Sequence, residues 1–144
     1  MHNKNGFTLI EILITLAIFG VIINLISGIN LNALERNSLQ KERALIVSLL
    51  EKARSLAMAN YENSDLGFCY QSGKYIIFKG DDCDQNNTDE MPANLNIASN
   101  PGTTFPSQII FKRLSGESSE ANIHLGDGTQ SLDININHVG RIDW

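Results

Sequence analysis

The order of apolar and polar positions divides the chain into three stretches with different periods. From residue 7 to residue 29 the sequence FTLIEILITLAIFGVIINLISGI is almost wholly apolar, with Leu, Ile, Val, Phe and Ala at every helical phase. As a helix it would run about 34 Å, enough to cross a hydrocarbon layer of about 30 Å. A helix apolar all round expects lipid or other helices on every side. Over residues 34–60 the helical period continues but narrows to one stripe, in which Leu45, Ile46, Leu49, Leu50, Ala53, Leu56 and Ala57 recur at steps of three and four. Glu42, Arg43, Glu51, Lys52 and Arg54 are assigned to the opposite, wet face, so this half is predicted to prolong the same rod and to pack on one side. Gly20, Ser27 and Gly28 are weak helix formers and mark where the rod could bend or unwind.

After Asn60 the period shortens to two, with Gly, Asn, Asp and Pro between the apolar runs. Strands are predicted over residues 66–70 and 74–78, joined as a hairpin through Gln71, Ser72 and Gly73, and again over 108–114, 121–125 and 132–136. The last is the clearest, because Leu132, Ile134 and Ile136 alternate with Asp133, Asn135 and Asn137. Residues 81–92 read as a polar loop, and Gly126, Asp127 and Gly128 as a second hairpin turn. The fold class is therefore α+β: a long N-terminal helix on a C-terminal antiparallel sheet. At 144 residues the chain supports one globular head and no second folding unit.

Charge sharpens this division. Residues 1–33 carry only Lys4 and Glu11, residues 34–60 five basic and three acidic side chains, and residues 61–144 five basic and twelve acidic ones. A head with a balance of −7 repels phosphate, which argues against generic nucleic-acid binding. Cys69 and Cys83 are too few for a four-ligand zinc site. If the head is exported they are expected to form a disulfide, worth about 3 kcal/mol for a loop of this length, with two buried free thiols as the alternative. Asp81, Asp82, Asp84, Asp89 and Glu90 are oxygen donors of the kind calcium takes, but they lack the spacing of a calcium-binding loop and read as a solvated acidic segment. His124 and His138 stand in separate strand regions without further zinc ligands. No nucleophile elbow, phosphate loop or catalytic carboxylate pair is present, so the chain is read as no enzyme, with no cofactor.

The apolar run contains one ionisable residue, Glu11. A carboxylate in hydrocarbon costs a few kcal/mol, which makes it functional by default and in need of a partner. A secretory signal peptide would have a shorter apolar stretch and a cleavage site after it, and a plain anchor gives no reason for the acid.

The opening residues MHNKNG followed by FTLIE resemble the N-terminus of type IV prepilins: a short polar leader with a basic residue, then Gly, Phe, and Glu at the fifth position of the mature chain. The resemblance implies cleavage between Gly6 and Phe7 by prepilin peptidase, N-methylation of the Phe7 amine, and the type IV pilin fold. It divides the chain into a leader (1–6), a transmembrane and polymerising helix half (7–33), an amphipathic half (34–60) and a β-rich head (61–144). The amine freed on Phe7 of one subunit could meet Glu11 of a neighbour, which would offset the burial of both and set the axial register.

A second resemblance, to the FimT and H-type pseudopilin family, rests on EKARSLAMAN at residues 51–60, on Gly116 after QIIFKRL, and on the ending Gly140, Arg141, Ile142. It implies a minor subunit of a type IV pilus or of a type II secretion pseudopilus, with other pilins and the inner-membrane assembly platform as partners. The alternatives are a DNA-binding minor pilin used in DNA uptake and a major pilin. FimT-like DNA binding uses basic residues near the C-terminus; here Arg141 stands alone beside Asp143, which puts that role in doubt. Trp144 is expected to pack on the sheet rather than to stack on a base.

Overall fold

The computed structural model describes residues 8–27, 31–83 and 87–144. The chain forms two compact units, residues 1–34 and 35–144. In the first, helix α1 spans Leu9–Ser27 and runs through Gly20 without a break. Gly20, a position where the rod could unwind, is helical here. Gly28 lies outside the described residues.

Helix α2 spans Leu31–Met58, and from residue 35 onward it belongs to the second unit. Of its predicted stripe, Ile46, Leu49, Leu50, Ala53 and Ala57 are buried against the strands and Leu45 and Leu56 are half-buried, while Leu39, further towards the N-terminus, is buried with them. Three residues assigned to its wet face are not fully in water. Glu42 is 6% exposed, and Arg43 and Arg54 are half-buried. Position 42 falls three residues after Leu39 and four before Ile46, on the buried phase itself, so the helix delivers a carboxylate into the head.

Strands β1 (Leu66–Gln71) and β2 (Lys74–Lys79) form the expected hairpin, with Gln71 opposite Lys74 across the turn at Ser72 and Gly73. The segment read as a polar loop contains strand β3 (Asn87–Pro92), which pairs antiparallel with β2. Lys52 and Lys74 hold its carboxylates Asp89 and Glu90 at 2.5 and 2.7 Å. An edge strand with charged side chains, closed by a proline, lacks the apolar alternation by which strands are recognised in sequence. A short helix, α3 (Leu95–Ala98), follows, with the Asn94 side chain accepting from the Asn96 N–H at 3.1 Å.

Strand β4 is shorter than predicted, Ile109–Phe111, because Lys112 and Arg113 turn away to bind Asp65 and Leu114 takes a positive φ of 67°. Strands β5 (Ala121–Gly126), β6 (Ser131–Ile136) and β7 (Ile142–Asp143) complete the head, the β5–β6 turn being braced by Asp127. There are two antiparallel sheets, β3-β2-β1-β4 and β5-β6-β7. Both present apolar residues to one core, among them Phe68, Tyr75, Ile77 and Phe111 from the first and Ile123, Leu125 and Ile134 from the second. A helix followed by an antiparallel head is the α+β arrangement of the type IV pilin fold.

Candidate functional site

The carboxylate singled out by sequence lies in the first turn of α1. The Glu11 and Ile12 N–H groups both donate to the Thr8 carbonyl, at 3.1 and 3.3 Å, so the helix is already wound where Glu11 leaves it. Glu11 is exposed, and so is the apolar surface around it: Leu9 is 77% exposed, Leu16 64% and Phe19 65%. Such a surface is unstable in water, and a single acid within it has no aqueous purpose. Gly6 and Phe7, the expected cleavage and methylation positions, lie outside the described residues. Among the described residues no helix is long and apolar enough to cross a membrane. The 19 residues of α1 make about 28 Å of helix, while the apolar run in the sequence continues past both of its ends.

Cys69 and Cys83 form a disulfide, with Cα atoms 6.3 Å apart. It straps the chain after β2 over the outer face of the first sheet, where Ile76 and Phe78 are buried with Cys69. Gln108 assists by donating to the Asp81 carbonyl at 3.0 Å. Of the acidic segment, Asp84 lies outside the described residues, and Asp89 and Glu90 are engaged by lysines. His124 contacts Asp133 across β5 and β6 at 2.7 Å, while His138 lies in the turn before β7, its carbonyl accepting from Ser118 N–H at 3.1 Å. Among the described residues no group of three or more His, Cys, Asp or Glu side chains could hold a metal.

Trp144 is not packed on the sheet: 59% of its surface is exposed, because the two-residue β7 ends before its ring can reach the core. Arg141 is bound to Asp143 at 2.9 Å, which draws its charge into a local pair.

Two features are made by residues far apart in sequence. The first is a buried polar junction: Glu42 Oε1 accepts from the Tyr75 hydroxyl and from the Asn94 N–H, both at 2.8 Å. Burial, and then the bond to Glu42, push the Tyr75 hydroxyl far above its usual titration range. The second brings together all three pieces of the head motif. Arg54 Nη2 donates to the Val139 carbonyl at 3.3 Å, and its Nε is buried without a hydrogen-bond partner. Gly116 and Gly140 crowd it, at φ 66° and 74°. A Cβ at Gly140 would strike the Gly116 carbonyl oxygen and lie 3.1 Å from Arg54 Nε, and one at Gly116 would lie 2.7 Å from Met58 Cγ. Only glycine fits either position.

This convergence agrees with the comparison of the chain with known families. The family described as "Type II transport protein GspH" matches residues 44–140, more than half of the chain. The chain belongs to the GspH family. The "Prokaryotic N-terminal methylation motif" matches residues 1–23 as well. No curated protein and no solved structure matches the chain. The GspH match begins within α2, after the buried Leu39 and Glu42, and ends on Gly140, so it encloses Glu42's partner Tyr75, the disulfide and the Arg54 junction, and leaves Arg141 to Trp144 outside. Glu11 falls within the methylation motif. This GspH-family chain is thus a type IV pilin or pseudopilin subunit by both of its parts.

Proposed function

We propose that the chain is a minor pilin or pseudopilin, a structural subunit of a type IV pilus or of a type II secretion pseudopilus. Prepilin peptidase cuts it between Gly6 and Phe7 and the Phe7 amine is methylated. Before assembly it is a single-pass protein of the inner membrane, with its head outside the cytoplasm. Assembly withdraws α1 from lipid, and its side chains then stay dry only by packing against the helices of neighbouring pilins in the filament.

The observation that carries this reading is the exposed apolar surface of α1 with Glu11 as its one acid. In the filament the carboxylate accepts the charged amine of a neighbouring subunit's Phe7, and the pair sets the axial register. The test is Glu11→Ala in a strain with a working filament system. Cleavage, read by the mobility shift on an immunoblot, is expected to stay within about twofold of wild type, while recovery in sheared filaments falls at least about tenfold, as loss of a buried ion pair requires. Normal recovery would overturn the reading.

Nucleic-acid binding stands behind it. The open ring of Trp144 favours contact with a base, but Arg141 is held by Asp143 and residues 61–144 carry a balance of −7.

A further inference from the structure

The C-terminal tail is poorly secured by its own sheet. Strand β7 has two residues and pairs only with β6, through Asn135 with Asp143 and Ile136 with Ile142. The turn before it is closed locally, by the Gly140 N–H to the Asn137 carbonyl at 2.8 Å and the Asn137 N–H to the Arg141 carbonyl at 3.1 Å. Nothing in those bonds ties the tail to the rest of the head. That tie comes from elsewhere: the Ser118 N–H donates to the His138 carbonyl at 3.1 Å, and Arg54 donates to the Val139 carbonyl. The loop of Gly116, which Gly140 touches, is in turn held on the end of α2, because the Leu114 N–H donates to the Ala57 carbonyl at 3.0 Å.

The fit is costly to build and only half satisfied. Leu114 is a bulky side chain at φ 67°, two glycines sit where no Cβ fits, and one buried Arg54 N–H is unpaired. Strain and an orphaned donor at one junction mark a place that can open. Leu114 and Val139, which flank it, are exposed, at 63% and 45%, so the junction can open while Ile142 stays in the core.

We propose that Arg54, Gly116 and Gly140 form a latch that fastens the turn before β7 to the last turn of α2, so that this turn and the tail on either side of the buried Ile142 are fully ordered only while the latch is closed. The latch makes the last turn of α2 and the exposed tail one opening unit. Arg54 acts as a positioning residue, through the backbone of Val139. The inference does not depend on the assembly reading, because every contact in it lies within residues 54–144.

Trp144 is the only tryptophan in the chain and reports on the tail directly. In the full chain in detergent, Arg54→Ala and Gly140→Ala break the latch from its two sides. Each is expected to raise the acrylamide quenching constant of Trp144, already 59% exposed, by about one and a half times, with the far-ultraviolet circular dichroism unchanged, and the double variant is expected to add little to either. Lys52→Ala, one turn's neighbour on the exposed face, serves as the control and should leave quenching at the wild-type value. Quenching equal to wild type in both folded single variants would overturn the latch. Should either variant misfold, hydrogen exchange of the wild-type protein decides. The Ser118, Gly140 and Leu114 amides are expected to open together, before those of β5 and β6. Exchange of the Gly140 and Ser118 amides only with β5 and β6 would overturn the proposal equally.

Discussion

Glu42 Oε1 satisfies the Tyr75 hydroxyl and the Asn94 backbone at once, so removing it strands two buried donors as well as a carboxylate's own packing. Each unsatisfied buried group costs about 1–3 kcal/mol, and Glu42→Ala is therefore expected to destabilise the head by about 2–4 kcal/mol in urea denaturation. Arg43→Ala, next to it on the half-buried flank, is expected to change stability by less than about 0.5 kcal/mol. Equal effects would mean that the junction contributes nothing. Residue type alone places both on a wet face; the phase of Leu39 and Ile46 was the signal that separates them, and it is legible once the stripe is extended one turn towards the N-terminus. Asp65 supports a prediction of a different kind. Burial raises its carboxyl, but the bonds from Lys112 and from the Arg113 N–H outweigh this and hold it below the usual range. A carboxylate depressed in the folded state stabilises fully above its unfolded value of about 3.9, and that contribution is lost as pH falls through the folded value. Wild type is thus expected to lose stability between about pH 5 and pH 2 more steeply than Asp65→Asn, as measured by urea midpoints across that range. Parallel pH curves would exclude the effect.

The elements were legible in proportion to how strongly burial imposes a period on them. The β1–β2 hairpin and β6 are buried on one or both faces and were read almost to the residue. Strand β3 was missed because it lies at the edge of its sheet and its side chains are Asn, Thr, Asp, Glu and Met, with Asp89 and Glu90 held by lysines rather than by a core. The chain from Asp81 to Cys83 depends on the disulfide in the same way. Asp81 and Asp82 are exposed and give Cys83 no apolar neighbour in sequence, yet Ile76 and Phe78 are 5% and 0% exposed beside Cys69. Closing a loop across a sequence separation of 14 removes unfolded-state freedom worth about 3 kcal/mol. Reduction by dithiothreitol is accordingly expected to lower the unfolding free energy by about 3 kcal/mol, and to raise the fluorescence of a dye that binds apolar surface before the main transition. An unchanged midpoint after complete reduction, verified by thiol counting, would show that the strap holds without its covalent tie.

At the scale of the molecule, the two units answer to different solvents. Every buried apolar residue in the described chain lies between Leu39 and Ile142, within the second unit, while the large apolar side chains of α1 from Leu9 to Ile23 are all exposed. A core whose described members all lie in the second unit can fold as that unit, and a helix whose described large apolar side chains are exposed from Leu9 to Ile23 has no reason to be apolar except for lipid or sister helices. A chain beginning at Glu35 is therefore expected to be soluble without detergent, to be monomeric by light scattering, and to melt in one cooperative transition. Loss of α1 should shift that midpoint by no more than about 4–8 °C, the change that about 1 kcal/mol produces in a head of this size. The full chain is expected to need detergent under the same conditions. If the shortened chain were unfolded, the contribution of residues 1–34 would lie in the head and not in a partner. Polymerisation through α1 would then no longer explain its composition, whereas a folded and soluble head leaves the whole apolar surface of α1 to be covered by other molecules.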